Sequence, residues 1–317
     1  MQRHAFICAL IAIAIPSAAL AQAPVVRTAD PSKRGLKLSD FPRTIKVTDD
    51  VYTYEDFHSG DEKFTTTNMF VVTDDGVLVA DGQGSVAETK GLVDAIATVT
   101  RQPIKYVVIA SDHGDHTAGN ASFPAGVTYI IHPTSKAILD HSAEAAAKAG
   151  REAGWKPPVN AILVPDRYSL RLGAESVDIT FLGRAHTGGD LSVGVPRQKI
   201  LFLSETFLNR VFPAMRSVYP TEWLRALDKA EAMKADIYIA GHGFTESGPV
   251  SREELVAYHR ALKAVIDEGT RLHNAGVPVA DAVKQANFGE YSSWTLASSQ
   301  GPIAVRKVYE ELDGKLK

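Results

Sequence analysis

Four histidines stand in short, polar, glycine-flanked loops that each follow an apolar run. His113 and His116 lie in Ala110-Ser111-Asp112-His113-Gly114-Asp115-His116-Thr117, His186 in Gly183-Arg184-Ala185-His186-Thr187-Gly188-Gly189-Asp190, and His242 in Ala240-Gly241-His242-Gly243. Imidazoles interleaved with a carboxylate, here Asp115, make a donor set for a borderline divalent cation, zinc above all. A catalytic zinc keeps three protein ligands and one position open for water, whose pKa it lowers towards about 7. One such histidine alone would be read as a hydrogen-bonding residue of its own loop; four with an intervening aspartate reverse that reading. His58, His132, His141, His259 and His273 lack the context and read as surface or structural residues.

Loops at the ends of buried strands are where a sheet gathers side chains on one cavity, so a strand should precede each loop. Residues 51–54 and 69–73 alternate, 77–80 is apolar, and Asp74-Asp75-Gly76 between the last two is a hairpin turn. Ser85 and Glu88 form a capping box ahead of Leu92, Val93, Ile96 and Val99, one apolar face of a helix. The continuous apolar run 104–109 predicts a buried strand. The order then repeats: strands at 127–131, 177–182, 191–195, 200–203 and 237–240, and helices at 133–139, after Thr221, after the Ser251/Glu254 capping box, and at about 302–316. Two blocks of strands with flanking helices imply two sheets packed face to face with helices outside. Two stretches break the regularity and are candidate pocket walls: 142–166, which contains Trp155-Lys156-Pro157-Pro158, and 206–220.

At 317 residues, 45% hydrophobic and 22% charged, the composition is that of an ordinary globular protein. With 34 basic against 37 acidic side chains and no basic stripe, nothing supplies an electrostatic grip on nucleic acid. The first 23 residues differ from the rest. Arg3 and His4 precede an apolar run at 5–15, then Pro16 and the small-residue patterns Ala19-Leu20-Ala21 and Ala21-Gln22-Ala23, which read as a secretory signal peptide. That run is shorter than the ~20 residues of a spanning helix. Cys8, the sole cysteine, leaves with the signal, so the mature chain has no thiolate ligand and no disulfide. The expected location is the periplasm or the medium, with no membrane partner after cleavage and a small-molecule substrate. Residues 24–43 read as an irregular arm, and 44–317 as a single domain.

Taken in order, these loops resemble the metallo-β-lactamase fold superfamily over about residues 44–242. The signature of that family is H-x-H-x-D-H after a strand, a later histidine in a Gly-x-x-His-Thr-x-Gly-Asp setting, a bridging aspartate, and a last histidine in a Gly-His-Gly-like turn. Here the corresponding residues are Ser111, His113, Asp115 and His116, then His186, then Glu205 in Leu203-Ser204-Glu205, then His242, with Asp81 in Val79-Ala80-Asp81-Gly82 as a partner behind the ligands. The resemblance implies an αββα sandwich of two mixed sheets and a hydrolase. Two departures matter: serine replaces the first histidine, and glutamate the bridging aspartate. With His113 and His186 alone, the first metal site is expected to be weak or empty. The second keeps Asp115, His116 and His242, with Glu205 as a longer-armed fourth ligand, so one tightly bound Zn2+ is expected.

On this reading Asp115 is both ligand and catalytic residue, His113 and His186 act as general base or as donors to developing charge, and Ser111 either hydrogen-bonds its loop or orients the attacking water. Asp112, adjacent to Ser111, points to the other side of an extended segment and reads as a solvated or loop-capping carboxylate. The site is similar to one-zinc metallo-β-lactamases, whose cysteine ligand is absent here, and to the mononuclear hydrolytic dehalogenases. A lactam, lactone, ester or halogenated aromatic is the expected substrate. Phe207, Phe212, Met215, Tyr219 and Trp223 form either an aromatic wall for it or part of the core, and Arg210 and Arg216 either meet an anionic group or are solvated. The alternatives are a non-catalytic metal- or partner-binding protein and an iron-dependent redox enzyme on the same fold.

Overall fold

The computed structural model describes residues 26–150 and 160–316. The expected signal peptide and Trp155-Lys156-Pro157-Pro158 lie outside them. Seven strands form the first sheet in chain order: β1 (Arg43–Lys46), β2 (Val51–His58), β3 (Asp61–Thr73), β4 (Gly76–Ala80), β5 (Ile104–Ile109), β6 (Thr128–Ile131) and β7 (Ala161–Leu163). β1 to β4 pair antiparallel and β4 to β7 parallel. The second sheet is a meander of β8 (Arg167–Leu172), β9 (Glu175–Phe181), β10 (Leu191–Val195) and β11 (Ile200–Phe202), closed by β12 (Ile237–Ile239) parallel to β11. The helices are α1 (Val86–Val99), α2 (Gly114–Thr117), α3 (Pro133–Lys148), α4 (Pro220–Ala232), α5 (Gly248–Asn274), α6 (Val279–Gln285) and α7 (Ala297–Leu312).

Successive side chains of a strand point to opposite faces, and the apolar runs use both. Leu78 and Ala80 of β4 pack between the sheets with Val108, Val177, Val193 and Phe202, whereas Val77 and Val79 pack outward with Leu92 and Ile96 of α1 and Leu139 of α3. On the far side, Trp223 and Leu227 of α4 and Leu255, Tyr258 and Leu262 of α5 cover Leu201 and Tyr238. The result is the αββα sandwich with two mixed sheets.

Several boundaries differ from the sequence expectation. Ser85 does cap α1, its hydroxyl accepting from the Glu88 N–H, a contact of about 1 kcal/mol. Thr221 caps nothing: α4 starts at Pro220, and the Thr221 hydroxyl and N–H donate instead to Glu311 of α7. Ser251 sits inside α5, which begins a turn earlier at Gly248; its buried hydroxyl donates to the Gly248 carbonyl and accepts from the Tyr238 N–H, tying α5 to β12. The Ala-rich stretch after Leu139 continues α3 to Lys148, as alanine's helix propensity favours. β1, β7, β8 and α6 were not anticipated; β1, β7 and α6 are short, whereas β8 does alternate, Tyr168, Leu170 and Leu172 against Arg167, Ser169 and Arg171. The described part of the expected arm, residues 26–42, makes two short turns of 3-10 helix, and Arg43 already opens β1. The arm is anchored by buried Ala29, by Arg27 on Glu254 and by Arg34 on Glu246. No described helix is long and apolar enough to cross a membrane.

Candidate metal centre

The strand ends deliver the site. β5 runs into the loop holding Ser111 and His113 and into α2 with Asp115 and His116; the turn after β9 carries His186, the segment after β11 Glu205, and the segment after β12 His242. The long strand β3 fixes the last of these. Thr67 N–H donates to the Gly241 carbonyl, and the hydroxyls of Thr65 and Thr67 donate to the Gly243 carbonyl. A side chain at 241 or 243 would drive into the backbone of Ser204 or Asn209, and Gly243 also has φ of +85°, so this turn requires glycine on both sides of the histidine. His242 Nδ1 faces the Thr65 carbonyl at 3.0 Å, which turns Nε2 towards the site.

Donor atoms then converge in two groups that share Glu205. Asp115, His116, His242 and Glu205 form one, His113, His186 and Glu205 the other, and within each group all donor atoms lie within 4.8 Å of one another. His242 Nε2 is 3.1 Å from Asp115 Oδ2, 3.3 Å from Glu205 Oε1 and 3.4 Å from His116 Nε2. His113 Nδ1 lies 2.9 Å from Glu205 Oε2, and His186 Nε2 lies 3.1 Å from Oε1. Ser111 Oγ donates to Glu205 Oε2 at 2.5 Å. Asp81, at the end of β4 with φ of +64°, accepts from the Ala110 N–H at 2.7 Å and the Ser204 hydroxyl at 2.5 Å, and its Oδ2 is 3.2 Å from His116 Nδ1.

Burial sets the electrostatics. It opposes charge on every one of these groups, yet the carboxylates and imidazoles override it in one another's favour. Burial pushes His113 down, but Glu205 and then Asp115 lift it to about 10; His242 is likewise lifted to about 10 against burial by Asp115 and Glu205. Asp115 and Glu205 are held well below the usual carboxylate range despite burial and their mutual repulsion, by His116 and His242 for the first and by His113 and His186 for the second. For His186 burial prevails and its pKa falls. No lysine or arginine among the described residues is within ion-pair reach of Glu205 or Asp115, so the buried Glu205 and the half-buried Asp115 depend on titratable imidazoles for their positive charge. His116 and His242 also present nitrogens to each other at 3.4 Å, a contact that needs a proton or a cation between them. A divalent cation answers both needs, and imidazole with carboxylate is the chemistry zinc takes.

Above the donors opens a cleft of about 320 Å³, lined on its apolar side by Phe64, Leu208, Val211 and Leu296, with Arg216 exposed at the rim. The roomier clefts beside α6 and α7, about 490 Å³, and beneath the arm, about 660 Å³, gather no such donor group. The aromatic wall considered from the sequence is core: Phe207, Phe212, Met215 and Trp223 are fully buried, and Tyr219 lies under the Arg184 guanidinium instead. Trp223 still borders the site, its ring packed edge to face with His186 at 5.1 Å between centroids. Arg210 is occupied by Glu254 and Trp294, whereas Arg216 lines the cleft. Asp112 is buried, and burial raises its pKa, so of the two expected readings, solvated or loop-capping, the solvated one is excluded.

His58 is the residue that sequence reasoning missed. From the end of β2, stacked on Phe64, it brings Nε2 to 3.4 Å from Asp115 Oδ2 and lines the cleft. No local motif marks it; only the β2–β3 hairpin, with His58 paired to Asp61, carries it there.

The sequence profile of the metallo-beta-lactamase superfamily matches residues 63–242, more than half of the chain. The chain belongs to the metallo-beta-lactamase superfamily. Within it the curated relatives are distant. A metallo-beta-lactamase of Chryseobacterium indologenes is 22% identical over 67% of this chain and 86% of its own length. A linear primary-alkylsulfatase of a Pseudomonas species is 20% identical over 74% of this chain and 53% of its own length. Among solved structures, a stereoselective inverting sec-alkylsulfatase from Pseudomonas superposes with a TM-score of 0.68 at 13% identity, over 84% of this chain and 50% of that one. A metallo-beta-lactamase from Pontibacter korlensis gives 0.57 at 19%, over 69% and 98%. These likenesses share the superfamily fold with hydrolases of two kinds.

Proposed function

We propose that this chain is an exported zinc-dependent hydrolase of a small molecule. The observation that carries the reading is the convergence of Asp115, His116, His242 and Glu205 at the floor of an open cleft. Zinc, when bound there, would supply Lewis acidity and ionise water near neutral pH. The chain's own residues prepare that position. Asp81 stands behind His116, the Thr65 carbonyl orients His242, and the Ser111 hydroxyl holds Glu205, so the donors are aimed before any ion arrives. The Ser111 hydroxyl donates to Glu205, which supports the reading that it positions that carboxylate.

The cleft lining suits a substrate with an apolar body, against Phe64, Leu208, Val211 and Leu296, and a negative charge within reach of Arg216. Carboxylated lactams and alkyl sulfates both answer that description, and the relatives include enzymes for each. The charged start, apolar run and small-residue patterns of residues 1–23 support export to the periplasm or medium.

The test pairs elemental analysis of protein isolated from its own compartment with a hydrolysis panel of β-lactams, lactones, aryl esters, alkyl sulfates and chlorinated aromatics. Zinc with turnover of one class supports the proposal. Iron in place of zinc, a filled site without turnover, or activity persisting in metal-free Asp115→Ala protein would overturn it.

A further inference from the structure

The two departures from the family pattern touch each other. Ser111 Oγ ends 2.5 Å from Glu205 Oε2, so the room an imidazole at 111 would need is occupied by the glutamate carboxylate. An aspartate at 205, one methylene shorter, would not extend as far towards residue 111. Glu205 also turns its two oxygens to different neighbours: Oε2 to Ser111 and His113, Oε1 to His186 and His242. It is buried, and among the described residues its reach includes no lysine or arginine.

We propose that Ser111 and Glu205 are one compensating exchange, which leaves a second cation position built from His113, His186 and Glu205. Glu205 takes over the ligand place that Ser111 vacates, and Ser111 becomes the residue that positions Glu205. The donor set is two imidazoles and one carboxylate in place of three histidines, and Glu205 bridges this position to the one held by Asp115, His116 and His242. The first site is therefore neither weak nor empty, contrary to what the sequence pattern implies when Ser111 is counted simply as a lost ligand. The inference rests on the reading of the cluster as a metal centre, not on the identity of the substrate.

Equilibrium dialysis of the full folded chain against zinc, with metal counted by mass spectrometry and cobalt(II) absorption as a second readout, tests it. Two ions per chain are expected. Glu205→Gln and His186→Ala should each hold one. Ser111→Ala should keep both but weaken one by about 10-fold or more, the scale of lost support to a ligand. Ser111→His alone should not raise the count, because Glu205 fills its space, whereas Ser111→His combined with Glu205→Asp should again hold two. Circular dichroism of chelated samples checks that each variant folds, and Ser111→Ala decides the matter if Glu205→Gln does not fold. A single ion that persists unchanged in Glu205→Gln and Ser111→Ala overturns this inference and leaves the hydrolase proposal standing. No bound ion in the wild-type chain overturns both.

Discussion

Two buried glutamates in this molecule meet opposite fates. Glu254, on α5, is 1% exposed and is gripped by permanent cations: Arg210 through Nε and, at 3.1 Å, Nη2, and Arg27 at 2.9 Å. Glu205 is 3% exposed and is met by one hydroxyl and three imidazoles. Burial is the same; the partners differ. An arginine keeps its charge at every accessible pH and closes the account of the carboxylate beside it. Imidazoles can give up their protons, so the region around Glu205 can exchange them for a metal ion, and the region around Glu254 cannot. Glu254 therefore locks the arm, the 207–216 segment and α5 together, while Glu205 marks the chemistry.

That contrast can be broken at either end. The largest effect is expected at the site. Asp115→Ala should lower hydrolysis about 10³-fold or more, since a catalytic metal contributes several kcal/mol and each 1.36 kcal/mol is tenfold; steady-state rates beside zinc content measure it, and a loss of rate with full zinc content would separate Asp115's chemistry from its binding.

Asp190 offers a third kind of buried carboxylate, one with no ion-pair partner among the described residues, held by the Thr187 N–H at 2.6 Å and hydroxyl at 2.8 Å and pushed by burial to about 7. Its folded pKa lies above its unfolded value near 4, so the folded state binds the extra proton between those limits. Its contribution is fully present below about pH 4 and is lost as pH rises through 7, by up to about 4 kcal/mol. Asp190→Asn should flatten that part of the denaturation profile, measured by urea unfolding at stepped pH; an unchanged slope would show that Asp190 is ionised in the fold.

Glu254→Gln should leave zinc content untouched and lower stability by about 2–3 kcal/mol, less than for a fully buried pair because Arg27 and Arg210 keep some access to water. A change in zinc content would mean that the two regions are coupled. The smallest effect is expected for His58→Ala. It removes a neighbour of Asp115, and zinc affinity should fall by about 10-fold with no loss of stoichiometry. Equal affinity would confine His58 to its stacking on Phe64.

Local chemistry decided much of this protein in advance. The apolar runs of β4, β5, β10 and β11 announce themselves because interior strands are buried on both faces, and Ser85 caps α1 because a hydroxyl there satisfies an N–H that the helix cannot. The glycine-flanked loops after the strands named His113, Asp115, His116, His186 and His242 as a group, since sheet topology carries strand ends to one edge. Edge strands such as β1 and β7 stayed hidden, being too short to show a period. The aromatic residues of the 206–220 segment could not be divided between wall and core, because composition does not say which way a side chain turns. The partners of each buried charge were also out of reach: Glu254 with arginines 27 and 210, His58 above Asp115, and Ser111 against a glutamate 94 positions later. Hydrophobic pattern and local capping act within a few residues and can be read along the chain. Who neutralises a buried carboxylate is settled by atoms that meet only after the two sheets have closed.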